Sequence, residues 1–544
     1  MVRSARKTPV WIALILALGL VAAACGGDDD EPGSGQTSGP TSVEPGGDFS
    51  LQICEPEFLV PQNDNETCGG QVLQSLFTPL VQYDVETSEP ANVVASDIST
   101  DDQTTWTITL NAGWTFHDGS PVNAQSFVDA WNWAANASNA AGNNYFFANI
   151  EGYDELNPTE GDADPEATLS GLEVVDDLTF TATLTAPFSQ FALTVGYNAF
   201  YPLPPAFFED PEGFNEQPIG NGPYMMDGVW EHDQFIKVTK FPDYAGTPGN
   251  ADNIEFRIYS DPDVAYTDVQ AGNLDIADVP DAQIEQGRTD FGDAFIETPS
   301  SVFQYIGFPL SDERFQSPEL RQAFSLAIDR EAVIEAVFFN TRTPARSLIS
   351  PVVAGSREDA CQYCAFDPEL AAQKLEEAGG WEGPLKFWFN SDGGHETWVE
   401  AVSNMWRQNL GIQEIQFESS EFADYLGSLD AGDVDGPFRL GWVMDYPSPQ
   451  NYLEPLHACE GSSNNTGYCN EEVDALIAEG NAAASIDEGI DSYLAAEDII
   501  LEDMPIIPTW FGLNQSVHSD RITNVQIDAF SFIRVADVQV VASE

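Results

Sequence analysis

The chain has 544 residues, which is too long for one hydrophobic core and long enough for two or three domains of ordinary size. Hydrophobic residues make up 42% of the sequence and aromatic residues 11%, a composition that excludes a largely disordered chain. The 89 acidic residues against 19 Lys and Arg give a formal net charge of -70. This charge excludes nucleic acids and anionic lipids as ligands of the folded part, because most of the surface would repel them.

The N-terminus has the pattern of an export signal. Basic residues within the first seven positions precede an apolar run over 10–24, which is short for a membrane-spanning helix and typical of a secretory signal. The run ends in "VAAAC" at Cys25 and resembles a bacterial lipoprotein signal, apart from Ala22, where Leu is more usual. The resemblance implies a lipidated Cys25 that anchors the protein, with residues 25–48 as a flexible tether. An ordinary signal peptide cut after Ala24 is the alternative.

The cysteines that follow Cys25 fall into close pairs, and an even number in an exported chain predicts local disulfides. The three predicted pairs are Cys54 with Cys68, Cys361 with Cys364, and Cys459 with Cys469. The "CQYC" pair could instead be redox-active or half of a zinc site, but no second C-x-x-C and no nearby His completes a metal set. Because the acids are scattered and no loop has the EF-hand pattern, we interpret them as a solvating shell and predict neither metal nor cofactor.

Strand and helix patterns alternate unevenly, which favours mixed α/β lobes over a barrel or a sandwich. β-branched and aromatic residues predict strands at 106–110, 180–184, 236–241 and 254–259. One apolar face predicts a helix that contains Phe127, Ala130, Trp131 and Ala134.

Helix starts and stops are clearer in the second half of the chain. Ser317 followed by Pro318 predicts a capped helix, and Asp329 predicts the start of the next one. The same pattern recurs at Asp367 and Pro368, with Gly379 as the stop. Later helices are predicted over 396–410 and 471–480. No internal repeat or second transmembrane segment is visible, so the body is expected to be a soluble globular unit outside the cell.

A secreted hydrolase is the natural alternative class, and its motifs are missing from the sequence. There is no G-x-S-x-G elbow and no H-E-x-x-H. None of the five histidines stands four residues from another, as a helical metal pair would; they are His117, His232, His395, His457 and His518. Paired carboxylates occur by composition alone and do not indicate a glycosidase. The sequence therefore predicts a protein that is not an enzyme.

Three segments, in this order, resemble the oligopeptide- and dipeptide-binding family of bacterial ABC-importer solute-binding proteins, extracellular family 5. They are "TWTITLNAGWTFHDGSPVNAQSFVDAWNW" (105–133), "PIGNGPYMM" (218–226) and "LRQAFSLAIDREAVI" (320–334). The likeness runs from about residue 50 to the C-terminus. It implies an α/β, two-lobed periplasmic-binding-protein fold of type II, cluster C, with an extra domain inserted in the first lobe. The motif residues themselves, such as His117 and Gly220, are interpreted as structural.

The resemblance also implies domain boundaries and a ligand position between the lobes. After the signal peptide (1–24) and the tether (25–48), lobe I would consist of 49–88, 205–300 and 510–544, the inserted domain of 89–204, and lobe II of 301–509. The empty lobes are expected to stay open, and ligand is expected to favour closure.

A fourth segment, "FRLGWVMDYPSP", resembles R-x-G-W-x-x-D-Y-x-x-P of the family and implies a peptide site. Asp445 falls on the Asp that pairs with the α-ammonium of the peptide, and Trp442 on the Trp before it. Arg439 falls on an Arg that can meet the C-terminal carboxylate of the peptide, and a looser match places His395 near the same carboxylate. The alternatives are a turn-capping role for Asp445, a core position for Trp442, and a surface position for His395 at a helix start.

These features predict a lipoprotein at the outer face of the cytoplasmic membrane that captures short peptides and delivers them to the permease subunits of an ABC transporter. The protein is expected to be a monomer that does not bind nucleic acid. The alternatives are another solute of the same family, such as an oligosaccharide, haem or a nickel chelate, and a secreted hydrolase.

Overall fold

A computed structural model describes residues 46–541, apart from the side chains of Asp392 and Ala423. The predicted signal peptide, the lipidated Cys25 and nearly all of the tether lie outside the described residues. Among the helices within this range, none is both long enough and apolar enough to cross a membrane.

The strands follow one another along the chain with wide differences in length. They are β1 (Asp48–Ile53), β2 (Val81–Tyr83), β3 (Pro90–Asn92), β4 (Ala95–Thr100), β5 (Thr105–Leu110), β6 (Leu172–Asp176), β7 (Thr179–Thr183), β8 (Tyr224–Met226), β9 (Phe235–Lys240), β10 (Asn253–Ile258), β11 (Ile276–Asp278), β12 (Phe295–Gly307), β13 (Arg342–Pro344), β14 (Leu385–Asn390), β15 (Ile415–Ser420), β16 (Phe438–Trp442), β17 (Ile506–His518), β18 (Ile522–Thr523) and β19 (Gln539–Val540).

The α-helices concentrate in the second half of the chain. They are α1 (Thr67–Leu76), α2 (Ala124–Ala135), α3 (Tyr153–Leu156), α4 (Phe191–Thr194), α5 (Pro205–Glu209), α6 (Pro211–Glu216), α7 (Pro262–Gln270), α8 (Ile284–Phe291), α9 (Pro318–Leu326), α10 (Arg330–Phe338), α11 (Pro368–Glu377), α12 (Glu396–Asn409), α13 (Phe422–Asp430), α14 (Pro449–His457), α15 (Glu471–Asn481) and α16 (Ile486–Asp503). The mixed α/β composition and the predicted strands and helices are confirmed within one or two residues.

The helix caps explain why these boundaries could be predicted. The Ser317 side chain accepts a hydrogen bond from the Leu320 amide at the start of α9, and Asp329 accepts from the Ala332 amide at the start of α10. Asp367 does the same for α11, with Pro368 in the first turn.

One large mixed sheet runs through most of the described residues. Its strand order is β15-β14-β16-β12-β17-β11-β1-β10-β9-β8, with β13 paired to β17 off this path. Strands β4, β5, β6 and β7 form a separate antiparallel sheet in the order β4-β5-β7-β6. The long strands β12 and β17 pair antiparallel in the middle of the large sheet, with register shifts near Pro299 and Gln304.

Two large hydrophobic cores occur among the described residues, and the second includes buried side chains of β12 and β17. The first draws its buried residues from 49–276 and 522–538, and the second from 303–511 with Ala529 and Phe530. The predicted lobe boundaries, after residues 300 and 509, fall within β12 and β17. The exact domain limits stay a prediction.

Two motifs that carried the family resemblance pack against each other. The Nδ1 atom of His117 accepts a hydrogen bond from the Gly220 amide at 3.1 Å, and Nε2 lies 3.2 Å from the Gly222 carbonyl, to which it donates in this tautomer. Burial lowers the pKa of His117 to about 4, so the ring stays neutral at ordinary pH. Both segments thus have a structural role, as the sequence predicted.

The arginines of the third motif are also structural. Arg330 is buried and donates from Nε to the Pro508 carbonyl at 2.7 Å and from Nη1 to the Cys364 carbonyl at 2.9 Å. Arg321 donates in the same way to the carbonyls of Asp503 and Phe315. Because each guanidinium bonds to main-chain oxygens of segments distant in sequence, the two arginines fasten α9 and α10 to the rest of the second core.

All three predicted disulfides are present: Cys54 with Cys68, Cys361 with Cys364, and Cys459 with Cys469. Each closes a short loop, of which the longest has a sequence separation of 14. They therefore stabilise local connections and do not join the two cores to each other.

Two glycine substitutions should change the free energy of unfolding in opposite directions and so test the close packing of the "PIGNGPYMM" segment against α1. A Cβ atom at Gly220 would lie 1.9 Å from the Leu76 carbonyl oxygen, whereas a Cβ atom at Gly427, in helix α13, meets nothing within 4 Å. We expect Gly220→Ala to lower the free energy of unfolding by about 1–3 kcal/mol. Gly427→Ala, the matched control, should raise it by about 0.5–1 kcal/mol. Equal midpoints of the two variants in urea denaturation would contradict this packing.

Candidate functional site

The segment that carries Asp445 links a strand to a helix. Strand β16 pairs with β12 as far as Trp442 and Phe303, and the chain then leaves the sheet. Pro447 favours an extended conformation at the preceding residue, and Ser448 caps α14 by accepting from the Gln450 amide at 3.1 Å. Residues 443–447, called the Asp445 loop below, are therefore held between two regular elements.

Asn451, in the first turn of α14, fixes the Asp445 loop. Its Nδ2 atom donates to Asp445 Oδ2 at 2.8 Å, and its Oδ1 atom accepts from the Asp445 amide at 2.8 Å. The same Oδ1 accepts from the indole Nε1 of Trp442 at 3.2 Å. Trp442 also packs against the second core, and its contact with ligand stays a prediction.

Asp445 is a partly buried residue. Burial raises the pKa of this carboxyl to about 7, and the hydrogen bond from Asn451 lowers it only in part. A carboxylate in this position gains if a cation pairs with it, because desolvation penalises its charge and one side-chain donor compensates incompletely.

The charge of Asp445 acts on tyrosines from segments distant in sequence. Burial raises the pKa of Tyr83 and Tyr197, with the charge of Asp445 as a further cause. The same charge acts on Tyr145, which is 38% exposed. Tyr197 packs against the first core and Tyr83 against both cores, and the Phe146 ring lies 4.5 Å from the rings of both Tyr145 and Tyr197. The carboxylate is therefore near an aromatic cluster in which Tyr197 belongs to the first core and Tyr83 contacts both.

Arg439 lies in a second polar cluster. Its Nε and Nη2 atoms donate to Gln304 Oε1 at 3.1 and 2.9 Å, and Nη1 donates to Asn390 Oδ1 at 3.0 Å. Arg439 and Trp442 stand three residues apart on β16, so their side chains leave opposite faces of the strand. The missing side chain of Gly441 makes room for Gln304, whose amide would lie 2.8 Å from a Cβ atom there.

His395 approaches this second cluster. An ideal Cβ atom at Gly393 would lie 2.2 Å from His395 Nε2 and 2.8 Å from Asn390 Nδ2, so both side chains border the same backbone position. His395 Nδ1 accepts from the indole of Trp398 at 3.1 Å. The structure therefore groups Arg439 with His395, and Asp445 with Trp442. Whether these four residues bind ligand stays a prediction.

More than half of the chain matches a known protein family. Residues 89–464 match the model of "Bacterial extracellular solute-binding proteins, family 5 Middle". The chain belongs to this family. This solute-binding protein is similar to the oligopeptide-binding protein OppA of Bacillus subtilis, with 26% identity over 536 residues, covering 94% of this chain and 96% of the relative. It is also similar to the dipeptide-binding protein DppE of Bacillus subtilis, with 26% identity over 539 residues, covering 96% and 97%.

Solved structures confirm the two-lobed type II fold. The murein tripeptide binding protein MppA of Escherichia coli superposes with a TM-score of 0.80 at 23% identity, covering 92% of this chain and 100% of the other. OppA of Haemophilus influenzae in complex with RPPGFSPFR superposes with a TM-score of 0.77 at 22% identity, with the same coverage. The family consists of solute-binding proteins, so the chain is placed among binding proteins at that level.

Several residues around the site of this solute-binding protein were not predicted from its sequence. Asn451 had a detectable signal, because Ser448 and Pro449 form a helix start that places Asn451 in the first turn, close to the preceding loop. The tyrosines at 83, 145 and 197 had none, because they come from segments distant in sequence and lie in different elements.

One group of possible metal ligands occurs among the described residues. The ligand atoms of Cys54, Glu66 and Cys68 lie within 4.8 Å of one another. The disulfide uses both sulfur atoms, and a metal requires thiolates, so this group offers no complete metal site in the oxidised protein.

The raised pKa of Asp445 predicts a pH-dependent stability. A folded-state pKa of about 7 against an ordinary 3.8 means that the folded protein binds this proton more tightly, so its stability falls as pH rises through 7. Asp445→Asn cannot ionise and should raise the free energy of unfolding of the empty protein by about 1–3 kcal/mol at pH 8. The gain should disappear toward pH 4. Thermal denaturation across this range measures the effect.

The matched control is Asp101→Asn, which removes an exposed carboxylate. It should leave the melting temperature unchanged at each pH. A pH-independent difference between Asp445→Asn and the wild type would contradict a desolvated, titrating Asp445.

Proposed function

We propose that this protein captures short peptides between its two lobes and delivers them to an ABC transporter for import. The single observation that carries the proposal is Asp445, a desolvated carboxylate bonded to Asn451 whose charge acts on Tyr83, Tyr145 and Tyr197. A peptide α-ammonium would supply the positive charge that Asn451 alone does not provide. The pair would strengthen as closure excludes water.

The second polar cluster would meet the other end of the peptide. A peptide of arbitrary sequence offers only its backbone and its two termini as constant features, so a general binder must hold these. Arg439 presents a guanidinium, already oriented by Gln304 and Asn390, that suits a carboxylate. His395 borders the same cluster and is assigned a supporting role there.

The relatives support a peptide as the solute. The two similar Bacillus subtilis proteins are named for oligopeptide and dipeptide binding, and the Haemophilus influenzae structure is a complex with the peptide RPPGFSPFR. We extend this ligand class to the present chain because Asp445 occupies a position chemically suited to a peptide N-terminus.

The remaining parts of the proposal concern location and assembly. Lipidation of Cys25 would anchor the protein at the outer face of the cytoplasmic membrane, and residues 25–48 would tether it near its permease. The protein would act as a monomer, with lobe I formed by 49–88, 205–300 and 510–544, the inserted domain by 89–204, and lobe II by 301–509.

Asp445 should discriminate between free and blocked peptide N-termini. We expect Asp445→Asn to weaken a peptide with a free N-terminus roughly 30-fold or more, because the ammonium loses a charged partner in an enclosed site. The N-acetylated form of the same peptide should bind the variant and the wild type equally. Peptides selected from a mixed short-peptide library by native mass spectrometry, followed by titration calorimetry, provide the measurement.

Two controls sharpen this comparison. Asp101→Asn should bind both forms as the wild type does. Wild-type affinity for the free peptide should increase from pH 5 to 7 as Asp445 ionises, whereas affinity for the acetylated peptide should stay flat. Equal affinities of Asp445→Asn and wild type for the free peptide would refute the assignment.

Arg439 should respond to the peptide C-terminus. Amidation removes the charge of the peptide C-terminus. The amidated peptide should therefore bind the wild type roughly tenfold more weakly than the free acid, whereas Arg439→Gln should bind the two forms with little difference in affinity. Arg439→Lys retains the charge without the planar fork and should keep part of the preference for the free acid. If amidation has the same effect on wild type and Arg439→Gln, the carboxylate does not meet Arg439.

A further inference from the structure

A chain of hydrogen bonds leads away from the Asp445 loop along α14. Tyr446 Oη donates to Gln450 Oε1 at 2.5 Å, and Gln450 Nε2 donates to Glu454 Oε2. The same Glu454 oxygen accepts from Asn481 Nδ2, at the end of α15, at 2.9 Å. The residue next to Asp445 is thus connected, by side chains alone, to the end of another helix.

The far end of this chain meets residues that pack in the first core. The main-chain carbonyl of Asn481 accepts from the Ser189 amide at 2.7 Å, and the carbonyl of Ala483 accepts from Gln103 Nε2 at 2.5 Å. Gln103 and Ser189 are held together by the neighbouring Phe188, which belongs to the first core and whose amide donates to the Gln103 carbonyl at 3.0 Å. The four residues Gln103, Ser189, Asn481 and Ala483, called the latch below, therefore join the proposed inserted domain of the first lobe to the second lobe.

Burial makes the intervening bonds difficult to rearrange. Tyr446 and Gln450 are only 5% and 4% exposed. The side-chain oxygen of Asn481 accepts from the fully buried Tyr493 hydroxyl at 2.7 Å, so both ends of its amide group are committed. In such a network each lost partner leaves a buried polar group unsatisfied, so the members tend to keep or lose their arrangement together.

Two contacts tie the start of this chain to Asp445. Tyr446 is its neighbour in the Asp445 loop, and Asn451, which bonds to the carboxylate and the amide of Asp445, is the neighbour of Gln450 in α14. Burial, with the charges of Glu454 and Asp445 as further causes, raises the pKa of Tyr446, so its hydroxyl keeps the proton that it donates to Gln450. A cation that orders the Asp445 loop therefore acts where the hydrogen-bond chain begins.

We propose that this network couples ligand capture at Asp445 to closure of the lobes, with Asn481 and Gln103 as positioning residues that set ligand affinity without contacting the ligand. The inference rests on the proposed function. Opening the lobes breaks the bonds that Ser189 and Gln103 donate. A ligand that orders the Asp445 loop favours the arrangement that presents the Asn481 and Ala483 carbonyls to the other lobe. Coupling of this kind is reciprocal, so a weaker latch must lower the affinity for ligand, and we expect this loss to appear mainly as faster release.

Two variants weaken this arrangement, one by removing side-chain bonds of the network and the other by removing a latch bond. Asn481→Ala removes the bonds to Glu454 and Tyr493. Gln103→Asn shortens the donor that reaches Ala483, and Asn tolerates the positive φ of 59° at position 103. Each should accelerate dissociation of a fluorescently labelled peptide with a free N-terminus roughly tenfold, with the association rate changed less than twofold. Glu479→Ala, at an exposed position of α15, is the matched control and should behave as the wild type.

Stopped-flow dissociation decides the inference when peptide binds the wild type. Faster release from both variants supports the latch, and unchanged release from the folded variants overturns it. If no peptide binds the wild type, the proposed function fails, and small-angle scattering of the full chain decides the latch separately. Because the latch bonds are present in this structure, the latch should keep part of the population closed even without peptide, in contrast to the open empty lobes expected from the sequence. A larger radius of gyration in Gln103→Asn than in wild type then supports the latch, and equal radii overturn it. If Asn481→Ala does not fold, Gln103→Asn carries the same test from the other lobe.

Discussion

The antiparallel pairing of β12 with β17 is the interaction on which the rest of the structure depends. Each strand has 13 residues, and together they stand in the middle of the large sheet. Strands of the first lobe extend from β17 through β11, and strands of the second extend from β12 through β16. Because strand pairing fixes distance and register, this pair helps to set the position of the Asp445 loop relative to segments of the first core. The register shifts near Pro299 and Gln304 locally interrupt a ladder that is otherwise continuous.

Buried charged residues in this fold differ in how fully hydrogen bonds compensate their charge. Arg321 and Arg330 are buried, but each donates to several carbonyl oxygens and so fastens distant segments together. Asp445 receives one side-chain donor, and burial raises its pKa to about 7. A charge left incompletely compensated lowers the stability of the empty protein and favours a ligand of opposite charge. The proposed latch depends on the same loop, because Tyr446, next to the charged Asp445, begins the hydrogen-bond network that leads to the latch.

The local elements of this protein were predictable because their causes are local. Ser317 with Pro318, and Asp367 with Pro368, begin helices through contacts within one turn. The strands around 106–110 and 236–241 follow from runs of β-branched and aromatic residues. The partners of the candidate site were not predictable in this way. Asn451 lies only six residues from Asp445, yet its role depends on how the helix start folds back onto the loop.

By itself, the sequence determined the α/β class, the helix and strand limits, the three disulfide pairs and the family, because these follow from short-range patterns and from motifs in a specific order. It also singled out Asp445 as the candidate site, through the resemblance of the surrounding segment "FRLGWVMDYPSP" to the family. Only the tertiary structure decided that Asp445 is desolvated, that its charge acts on the tyrosines at 83, 145 and 197, and that Arg439 joins Gln304 and Asn390 in a separate cluster. These properties depend on distances between segments that are far apart in sequence, which no local pattern records.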